Sequence, residues 1–532
     1  MNKRKLELYE DLFKKVGPGK THIHIGEIAD AFHCSDRHAR TLLKQMGEYQ
    51  WLTWTPMKGR GQKGELVCLQ EPVTACYQAV DHAIGQERYD LAHQLVGFHD
   101  RSVASNLKRY LAHTAHNSEN TIYAPFHRKL DWLHPHFAMG RTERHLIHEV
   151  FQTLVSHDGS AIHPNLAHHW SSSHSHTCWR FHLNSSAMFH DKTNVTAEDV
   201  VTSLNALVNS HYWRGLYDHI DAISAVTPYC VEINLSEPDP LLPSLLSRAE
   251  TSILPSRFVH SEKLAFQPIG SGPFSVDINS DKVLRLNRNE HYCGQTALTK
   301  HIEIWIHEEW KQDKKCAENF FFLESGEENY QVSTQNIGHF YVLINHKELQ
   351  TDSIKQGFST LMSRDEKCSL ALPFPISFSY EDNNESRQFS AKLQAALPSS
   401  SGQNKSHQVE YGRAISNQDI TLGGIRLEGD QSTSLFAFFK LYPYWQQCMT
   451  WRQHSRLEEV LNLARYASCS EEREALLNTL LHELAEQNIL LILATEDLTL
   501  TIPSRVAGVE INTIGWCNFS KLWIQPKLMF KG

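Results

Sequence analysis

One segment, residues 25–69, restricts the fold of this chain more than any other part of the sequence. Its spacing predicts a first helix over residues 27–32 and a turn at Cys34 and Ser35, where the Ser35 hydroxyl can accept a backbone amide of the next helix. In that next helix the apolar residues recur at i, i+3, i+4 and i+7, which predicts one buried stripe. The stripe consists of Ala39, Leu42, Leu43 and Met46.

The opposite face of the second helix is cationic. It carries Arg37, His38, Arg40, Thr41 and Lys44, and Ser35 lies at its N-terminal end. Such a face suits a groove of negative potential, and a guanidinium can reach both O6 and N7 of guanine, so Arg37 or Arg40 is the predicted base contact. The alternative is a solvated basic helix in an ordinary helical domain, because runs of charge usually face water.

A basic hairpin follows the two helices. Residues 51–54 and 66–69 are predicted strands, and the glycine-rich loop between them permits a tight turn. The polar side chains of this loop are Lys58, Arg60, Gln62 and Lys63. A helix-turn-helix followed by a basic hairpin is the pattern of a winged helix that binds double-stranded DNA. We expect the loop cations to contact phosphates, with Arg60 in the minor groove as an alternative.

The distribution of charge agrees with this hypothesis. Residues 1–70 hold twelve Lys and Arg against eight Asp and Glu, so this segment carries +4, whereas the whole chain carries −9 and the remainder therefore −13. Because phosphate contacts require local cations, the N-terminal segment is the part of the chain that suits DNA.

The length of 532 residues predicts more than one domain. We expect a DNA-binding domain with a helical connector over residues 1–115 and a second domain over residues 116–532. In the first, Leu6, Tyr9, Phe13 and Val16 are spaced as the inner face of a helix, and residues 73–113 predict two or three further helices. No signal peptide or membrane-spanning run is predicted, and the eleven cysteines form no C-x-x-C pair. We therefore expect a cytoplasmic protein without a membrane partner.

From Thr121 onward, short strands alternate with helices. An amphipathic helix is predicted over residues 144–154, and strands over residues 179–183, 231–235, 283–286 and 302–306. Thr196 and Asp199 have the spacing of a capping box at the start of another helix. This mixed α/β region is too large for one core, so two lobes are expected.

The second domain resembles the family 5 solute-binding proteins, which include oligopeptide- and dipeptide-binding receptors of transporters. The matching runs are HLIHEVFQTLVSHDGSAIHPNLAHHW, WRFHLNSSAMFHDKTNVTAEDVVTSL and the IGSGPF turn at residues 269–274. The resemblance implies a clamp of two lobes that closes on a ligand. One departure is that the family's DYPDP-type loop, whose acid meets a peptide amine, is not found in residues 425–439, so peptide binding is not implied.

A winged helix in front of such a clamp resembles the SgrR-type bacterial transcriptional regulators. The runs CSDRHARTLLKQM, WLTW and GRG match the N-terminal part of that family, and NTIGWCNFSKLWIQP is similar to its C-terminus. The resemblance implies a one-component regulator that acts on promoter DNA, senses a small molecule and is linked to sugar-phosphate stress. RNA polymerase is a further partner that the resemblance allows.

Candidate ligand contacts are fewer. Arg426 suits an anionic ligand such as a sugar phosphate, since guanidinium pairs bidentately with phosphate, but it can equally be a surface ion pair. Trp445 and Trp516 can stack on a sugar ring or belong to the core. The histidines at 168, 169, 174 and 176 are too common a residue type here to predict a metal site. No cofactor motif and no catalytic motif is present, so no enzymatic activity is predicted. A transporter receptor for peptides or sugars is the alternative function.

Overall fold

The computed structural model describes most of the chain. The described residues are 3–57, 59, 62–100, 102–260, 267–311, 320–363, 370, 372–397, 404–410 and 415–526. They form a mixed α/β structure that begins with a small winged-helix unit and continues into three larger sheets. None of the helices in these ranges combines the length and the apolar character that crossing a lipid bilayer requires.

The N-terminal unit has the three predicted helices, the two predicted strands and one strand more. Its elements are α1 (Lys3–Val16), β1 (Gly19–Ile23), α2 (Ile25–Ala31), α3 (Asp36–Glu48), β2 (Leu52–Thr55) and β3 (Gly64–Cys68). The sheet order is β1-β3-β2, and both neighbours of β3 are antiparallel to it. The strand β1 was not predicted because GKTHI is short and polar, and it is held by backbone pairing rather than by an apolar alternation.

The stripe predicted for α3 is buried as expected. Ala39, Leu42, Leu43 and Met46 all join one core with α1 and the sheet. In α1, Leu6 and Tyr9 are buried as predicted, but Phe13 and Val16 are only half-buried. Leu8 and Leu12 are buried instead, with exposed fractions of 6% and 0%. The inner face of α1 is therefore wider than one i, i+3, i+4 stripe.

The connector consists of three helices, α4 (Pro72–Gly85), α5 (Tyr89–Val96) and α6 (Val103–Asn117). Their buried side chains belong to the same apolar core as the winged helix. This core also includes Trp305 and Trp310, which lie far along the chain. The connector is therefore not a flexible linker, because it is packed on both sides.

The elements between residues 121 and 306 follow in chain order. They are β4 (Thr121–Phe126), α7 (Arg141–Val150), β5 (Val155–His157), β6 (Ile162–Pro164), β7 (Ala167–Ser172), β8 (Cys178–Leu183), α8 (Ala197–Val208), α9 (Arg214–Tyr217), β9 (Ile220–Thr227), β10 (Cys230–Leu235), α10 (Leu242–Leu245), β11 (Phe274–Asn279), β12 (Val283–Arg288) and β13 (His301–Ile306). The four strands predicted here are present, and Thr196 and Asp199 form the predicted capping box. The helix predicted over residues 144–154 instead ends at Val150, whose carbonyl accepts the Gly272 amide at 2.9 Å.

The remaining elements extend from residue 329 to 524. They are β14 (Asn329–Ile344), α11 (Asp352–Ser363), β15 (Ser377–Glu381), α12 (Asn384–Ala396), β16 (Lys405–Val409), β17 (Ile420–Arg426), α13 (Gln431–Leu441), α14 (Trp445–Cys448), α15 (Trp451–Tyr466), α16 (Ser470–Glu486), β18 (Leu490–Pro503), β19 (Val506–Ala507) and β20 (Trp523–Ile524).

Three sheets divide this region. Lobe 1 is the sheet β11-β12-β13-β4 together with α7 and the C-terminal segment, whose residues share one buried core. The middle unit is the sheet β7-β8-β10-β9 with α8. Lobe 2 is the five-stranded sheet β16-β15-β17-β14-β18 with α11 and α12, which share its own core. We also assign α13 to α16 to this lobe, although their buried residues share the core of the middle unit.

The two lobes are joined by a long two-stranded ribbon. Residues 329–334 of β14 pair with 498–503 of β18, and residues 338–343 pair with 490–496. The first stretch contributes Leu500 and Ile502 to the lobe 1 core, whereas the second contributes Phe340 and Val342 to the lobe 2 core. The register shifts between Thr334 and Gly338, so the ladder is irregular where the ribbon passes from one lobe to the other.

Candidate DNA interface and interlobe charge cluster

The outer face of α3 is exposed along its length. Its exposed residues include every predicted contact on this helix, namely Ser35, Arg37, His38, Arg40, Thr41 and Lys44. The Ser35 hydroxyl caps the helix by accepting the His38 amide at 3.4 Å, and the Thr41 hydroxyl donates to the Arg37 carbonyl at 3.2 Å. The cap fixes where α3 begins, and therefore which side chains face outward.

The hairpin between β2 and β3 is the candidate wing. Gln62 and Lys63 are exposed on it, whereas the predicted contacts Lys58 and Arg60 lie outside the described residues. At its base, a Cβ on Gly64 would lie 2.3 Å from the Trp54 ring, so the lack of a side chain at Gly64 makes room for this ring. The start of the second wing strand is therefore fixed by packing.

The winged helix is anchored to its connector by Tyr9. The Tyr9 hydroxyl donates to the Trp51 carbonyl at 2.8 Å and also contacts the Gln70 carbonyl, and its ring lies 5.4 Å from that of Trp51. Burial raises the pKa of Tyr9 well above its ordinary value. This contact joins α1, the start of β2 and the segment that enters α4.

An aromatic seam joins the connector to lobe 1. His93 on α5 stacks on Trp305 of β13 at 6.1 Å and on His307 at 5.8 Å, and Tyr89 meets Trp305 edge to face. Burial lowers the pKa of His93 to about 4. The seam is therefore an apolar contact between neutral rings rather than a salt-bridged surface.

Polar contacts extend the same seam along α6. The Trp310 indole donates to the Ala104 carbonyl at 3.2 Å. His113 lies 3.1 Å from a carboxylate oxygen of Glu324, and His116 lies 3.2 Å from one of Glu327. Connector and lobe 1 are thus bound by both a shared core and directional contacts, which favours their movement as one body.

A cluster of buried charges joins lobe 1 to lobe 2. Arg144 on α7 donates through Nε to Oε2 of Glu428 at 2.6 Å, and its Nη2 contacts Glu250. Glu428 lies two residues after the end of β17 in lobe 2, whereas α7 packs in the lobe 1 core. Burial alone would raise the pKa of Glu428, but Arg144 and the hydrogen bond to His148 hold that pKa well below its ordinary value.

Glu428 has two further donors on lobe 1. Nε2 of His148 lies 2.8 Å from Oε1 of Glu428, and the Ala249 amide donates to the same oxygen at 3.0 Å. Around Glu250, Arg248 donates at 2.6 Å and the Tyr217 hydroxyl at 3.0 Å. Two arginines thus face two carboxylates in a site where only the His148 side chain, at 32%, is substantially exposed; those of Arg144 and Glu428 are 10% and 8% exposed.

The three predicted ligand contacts lie in different places. Arg426 ends β17, two residues before Glu428, and is half-buried with its guanidinium over Gly424. Trp445 is 4% exposed, and its indole donates to the Phe439 carbonyl at 2.8 Å, so the packing supports the core alternative for this residue. Trp516 is 8% exposed and stacks on His145 at 5.1 Å within lobe 1. Trp445 and Trp516 therefore belong to two different cores.

The charge cluster around Arg144 and Glu428 was not predicted from the sequence. Glu428 lies within residues 425–439, where the DYPDP-type loop is absent. Arg144 is the first residue of the helix that is predicted over residues 144–154. The available signal was only the presence of Arg144 on a predicted amphipathic helix and of Glu428 between a strand and the next helix. Pairing them required the tertiary fold, since they are separated by 284 residues.

Comparison with known proteins follows the two parts of this geometry. Residues 4–118 match the family described as "Sugar transport-related sRNA regulator N-term", and residues 161–318 match "Bacterial extracellular solute-binding proteins, family 5 Middle". The "HTH-type transcriptional regulator SgrR" of Yersinia enterocolitica is 26% identical over 95% of this chain and 96% of its own length. The chain is thus similar to the SgrR-type regulators over nearly its whole length. The regulator of the same name from Escherichia coli K12 is also 26% identical, over 94% of this chain and 95% of its own.

Solved structures agree on the fold of the second part. The binding protein AgaA from A. tumefaciens R10, in complex with agropinic acid, superposes with a TM-score of 0.60 at 14% identity, over 77% of this chain and 99% of its own. The binding protein DppA from Helicobacter pylori, in complex with the peptide STSA, gives a TM-score of 0.59 at 15% identity, over 78% and 100%. In this chain, the fold of a periplasmic binding protein is thus joined to a winged helix.

Proposed function

We propose that this protein is a cytoplasmic one-component transcriptional regulator that binds promoter DNA and senses a small molecule. The observation that carries the proposal is the continuous core that runs from the winged helix through α4–α6 to Trp305 and Trp310 of the binding-protein fold. Because the DNA-binding unit shares a core with the ligand-binding fold, a change in that fold can be transmitted to the DNA-binding unit. We propose that the division into functional domains falls near residue 116.

DNA binding is assigned to α3 and the wing. Arg37 and Arg40 are the proposed base contacts, supported by their exposure on the helix that follows the Ser35 cap. Lys58, Arg60, Gln62 and Lys63 are the proposed phosphate contacts. In the described part of the chain, Arg37, Arg40 and Lys44 are engaged in no ion pair, so their charge is available to phosphates.

The ligand is proposed to be a small anionic sugar derivative, such as a sugar phosphate, held between the lobes. The support is the family description of the N-terminal part as sugar transport-related and the position of Arg426 at the lobe 2 end of β17. RNA polymerase is a further proposed partner. No enzymatic step is proposed, and the transporter-receptor alternative is set aside because relatives that match over the whole length are named regulators.

DNA binding can be tested without knowing the operator. Fragmented genomic DNA is selected on full-length wild-type protein, and the enriched sequences are compared with those selected by Arg37→Ala/Arg40→Ala protein. Arg452→Ala is a matched control because Arg452 is an exposed arginine on a helix of lobe 2. The proposal expects enrichment of a few promoter fragments by the wild type and the control only. Enrichment by all three proteins, or by none, contradicts it.

Ligand sensing is tested by a thermal-shift panel on the full chain. The panel contains sugar phosphates, the matching free sugars and short peptides. A compound that binds the folded state raises the transition temperature with concentration. The proposal expects a sugar phosphate to do so and the matching free sugar to do so less. Stabilisation by peptides alone would favour the receptor alternative.

A further inference from the structure

The contacts of Glu428 have the composition of an oxyanion site. A guanidinium, an imidazole and a backbone amide converge on one carboxylate, and all three donors belong to lobe 1. Charged donors bind carboxylates and phosphates more strongly than neutral ones do. The carboxylate itself is delivered from the other lobe, at the end of β17.

We propose that Arg144, His148 and the Ala249 amide form an anion site of lobe 1, that Glu428 of lobe 2 fills it in this structure, and that the carboxylate or phosphate of a small-molecule ligand competes with Glu428 for it. The inference rests on the proposed sensing function and names the group that the ligand must carry. It also names the contact that the ligand replaces, which is a link between the two lobes.

The balance of charge supports the competition. Arg144 and Arg248 face Glu250 and Glu428, so the cluster is neutral apart from His148. If lobe 2 moves and removes Glu428, one buried positive charge loses its partner, and an unpaired buried charge is costly. An incoming oxyanion restores the balance without Glu428. His148 is the most exposed member, so the ligand can approach from its side.

The position of Glu428 means that its replacement by a ligand anion would change a contact between the two lobes. Glu428 lies in the short loop of residues 427–430 that joins β17 to α13. Because β17 is a central strand of the lobe 2 sheet, between β15 and β14, both ends of this loop are held by regular structure of lobe 2. Arg144 is on the lobe whose sheet carries Trp305 and therefore the connector. Replacement of Glu428 by the ligand thus alters the contact between lobe 2 and lobe 1, which is packed against the connector of the DNA-binding unit.

The test uses Glu428→Gln in the full chain. This change removes the competing charge and leaves the shape of the side chain. Transition temperatures are measured in sodium phosphate and in sodium acetate, with ionic strength held constant by sodium chloride. We expect a saturable rise of about 2–4 °C in Glu428→Gln protein and a smaller one in wild type. The anion that half-saturates at lower concentration identifies the ligand group as phosphate or carboxylate.

Two variants serve as controls. Arg144→Gln/Glu428→Gln lacks the main donor and should lose the rise. Asp218→Asn also removes a carboxylate that faces a buried arginine, Arg465 at 3.1 Å, at the boundary of the middle unit and lobe 2. It should show no specific rise, because its contacts lack the imidazole and the amide. An equal rise in Asp218→Asn and Glu428→Gln protein, or no rise in either, overturns the site.

Should Glu428→Gln protein not fold, Glu428→Asp takes its place. Aspartate keeps the charge but is too short to hold Arg144 and His148 together. Phosphate or acetate should therefore again raise the transition temperature more than in wild type. The absence of this extra rise contradicts the site. Failure of this site and failure of the proposed function are distinguishable. If phosphate or acetate stabilises the variant but its affinity for DNA does not change, the sensing function is contradicted. If a panel compound changes the affinity for DNA but neither anion stabilises the variant, only this site is contradicted.

Discussion

Glu428 of lobe 2 accepts a hydrogen bond of 2.6 Å from Nε of Arg144 of lobe 1, and both side chains are almost fully buried. A buried pair of this kind contributes little net stability compared with apolar packing, but the loss of one partner leaves the other as an uncompensated charge. The pair is therefore expected to specify how the lobes meet more than how strongly the chain folds.

The first prediction concerns this pair. Arg144→Met should destabilise the protein by about 3–5 kcal/mol because Glu250 and Glu428 would then share one arginine. The measurement is the urea midpoint of the full chain. Arg456→Met, which breaks exposed pairs with Glu459 and Glu483, should shift the midpoint far less. Equal shifts for the two variants would show that the buried pair has no special weight.

A second prediction concerns base recognition by α3. Replacing Arg37 or Arg40 by alanine should cost about 1–3 kcal/mol on a selected promoter fragment and relax preference at the contacted base pair. Binding is measured by fluorescence anisotropy on the fragment and on its single-base variants. Unchanged affinity of both variants would reject α3 as the helix that reads bases.

The wing gives a third prediction. Phosphate contacts carry no sequence information, so Lys58→Ala/Lys63→Ala should weaken binding to all duplexes by a similar factor. The slope of log K against log salt should become less negative by about 0.9 for each contact that is lost. Anisotropy titrations between low and moderate salt measure this slope. A slope identical to that of the wild type would remove the wing from the interface.

The fourth prediction uses the seam at His93. The pKa of His93 is about 4 in the folded chain, below the ordinary 6.5. Between these values the unfolded chain binds a proton that the folded chain does not, so stability falls as pH falls from 6.5 to 4. At pH 5 this loss is about 2 kcal/mol relative to neutral pH.

His93→Leu should therefore reduce the difference in stability between pH 7.5 and pH 5, measured by urea unfolding at both values. The control is His482→Leu, whose side chain is 75% exposed on α16. The difference for the control should match that of the wild type. If His93→Leu leaves the difference unchanged, the seam histidine is not the neutral buried ring described above.

Local patterns were sufficient to predict the DNA-binding unit. The Ser35 cap and the i, i+3, i+4, i+7 stripe of α3 depend on neighbouring residues, and the structure has both. The strand β1 was missed because its five residues carry no apolar alternation and its place in the sheet depends on β3, some 45 residues away. Short polar strands that are held by backbone pairing give little signal in a single sequence.

The contacts between units could not be predicted for a different reason. Trp305 is predicted to be buried in a strand, but nothing near it in sequence indicates that its partners are His93 and Tyr89 of the connector. The same holds for Arg144 and Glu428. A buried charge is expected to have a partner, yet the partner is chosen by the arrangement of the lobes rather than by spacing along the chain.

The central claim is that ligand binding between the lobes and DNA binding by α3 are linked. The compound selected by the thermal-shift panel is titrated calorimetrically into the full chain, alone and saturated with the selected promoter fragment, and again with Arg426→Ala protein. Linkage requires that DNA change the affinity for the compound by the same factor, typically about 5–150-fold, by which the compound changes the affinity for DNA. We expect this reciprocal change in the wild type and weaker binding of the compound by Arg426→Ala protein. Equal affinity for the compound with and without DNA would contradict the account.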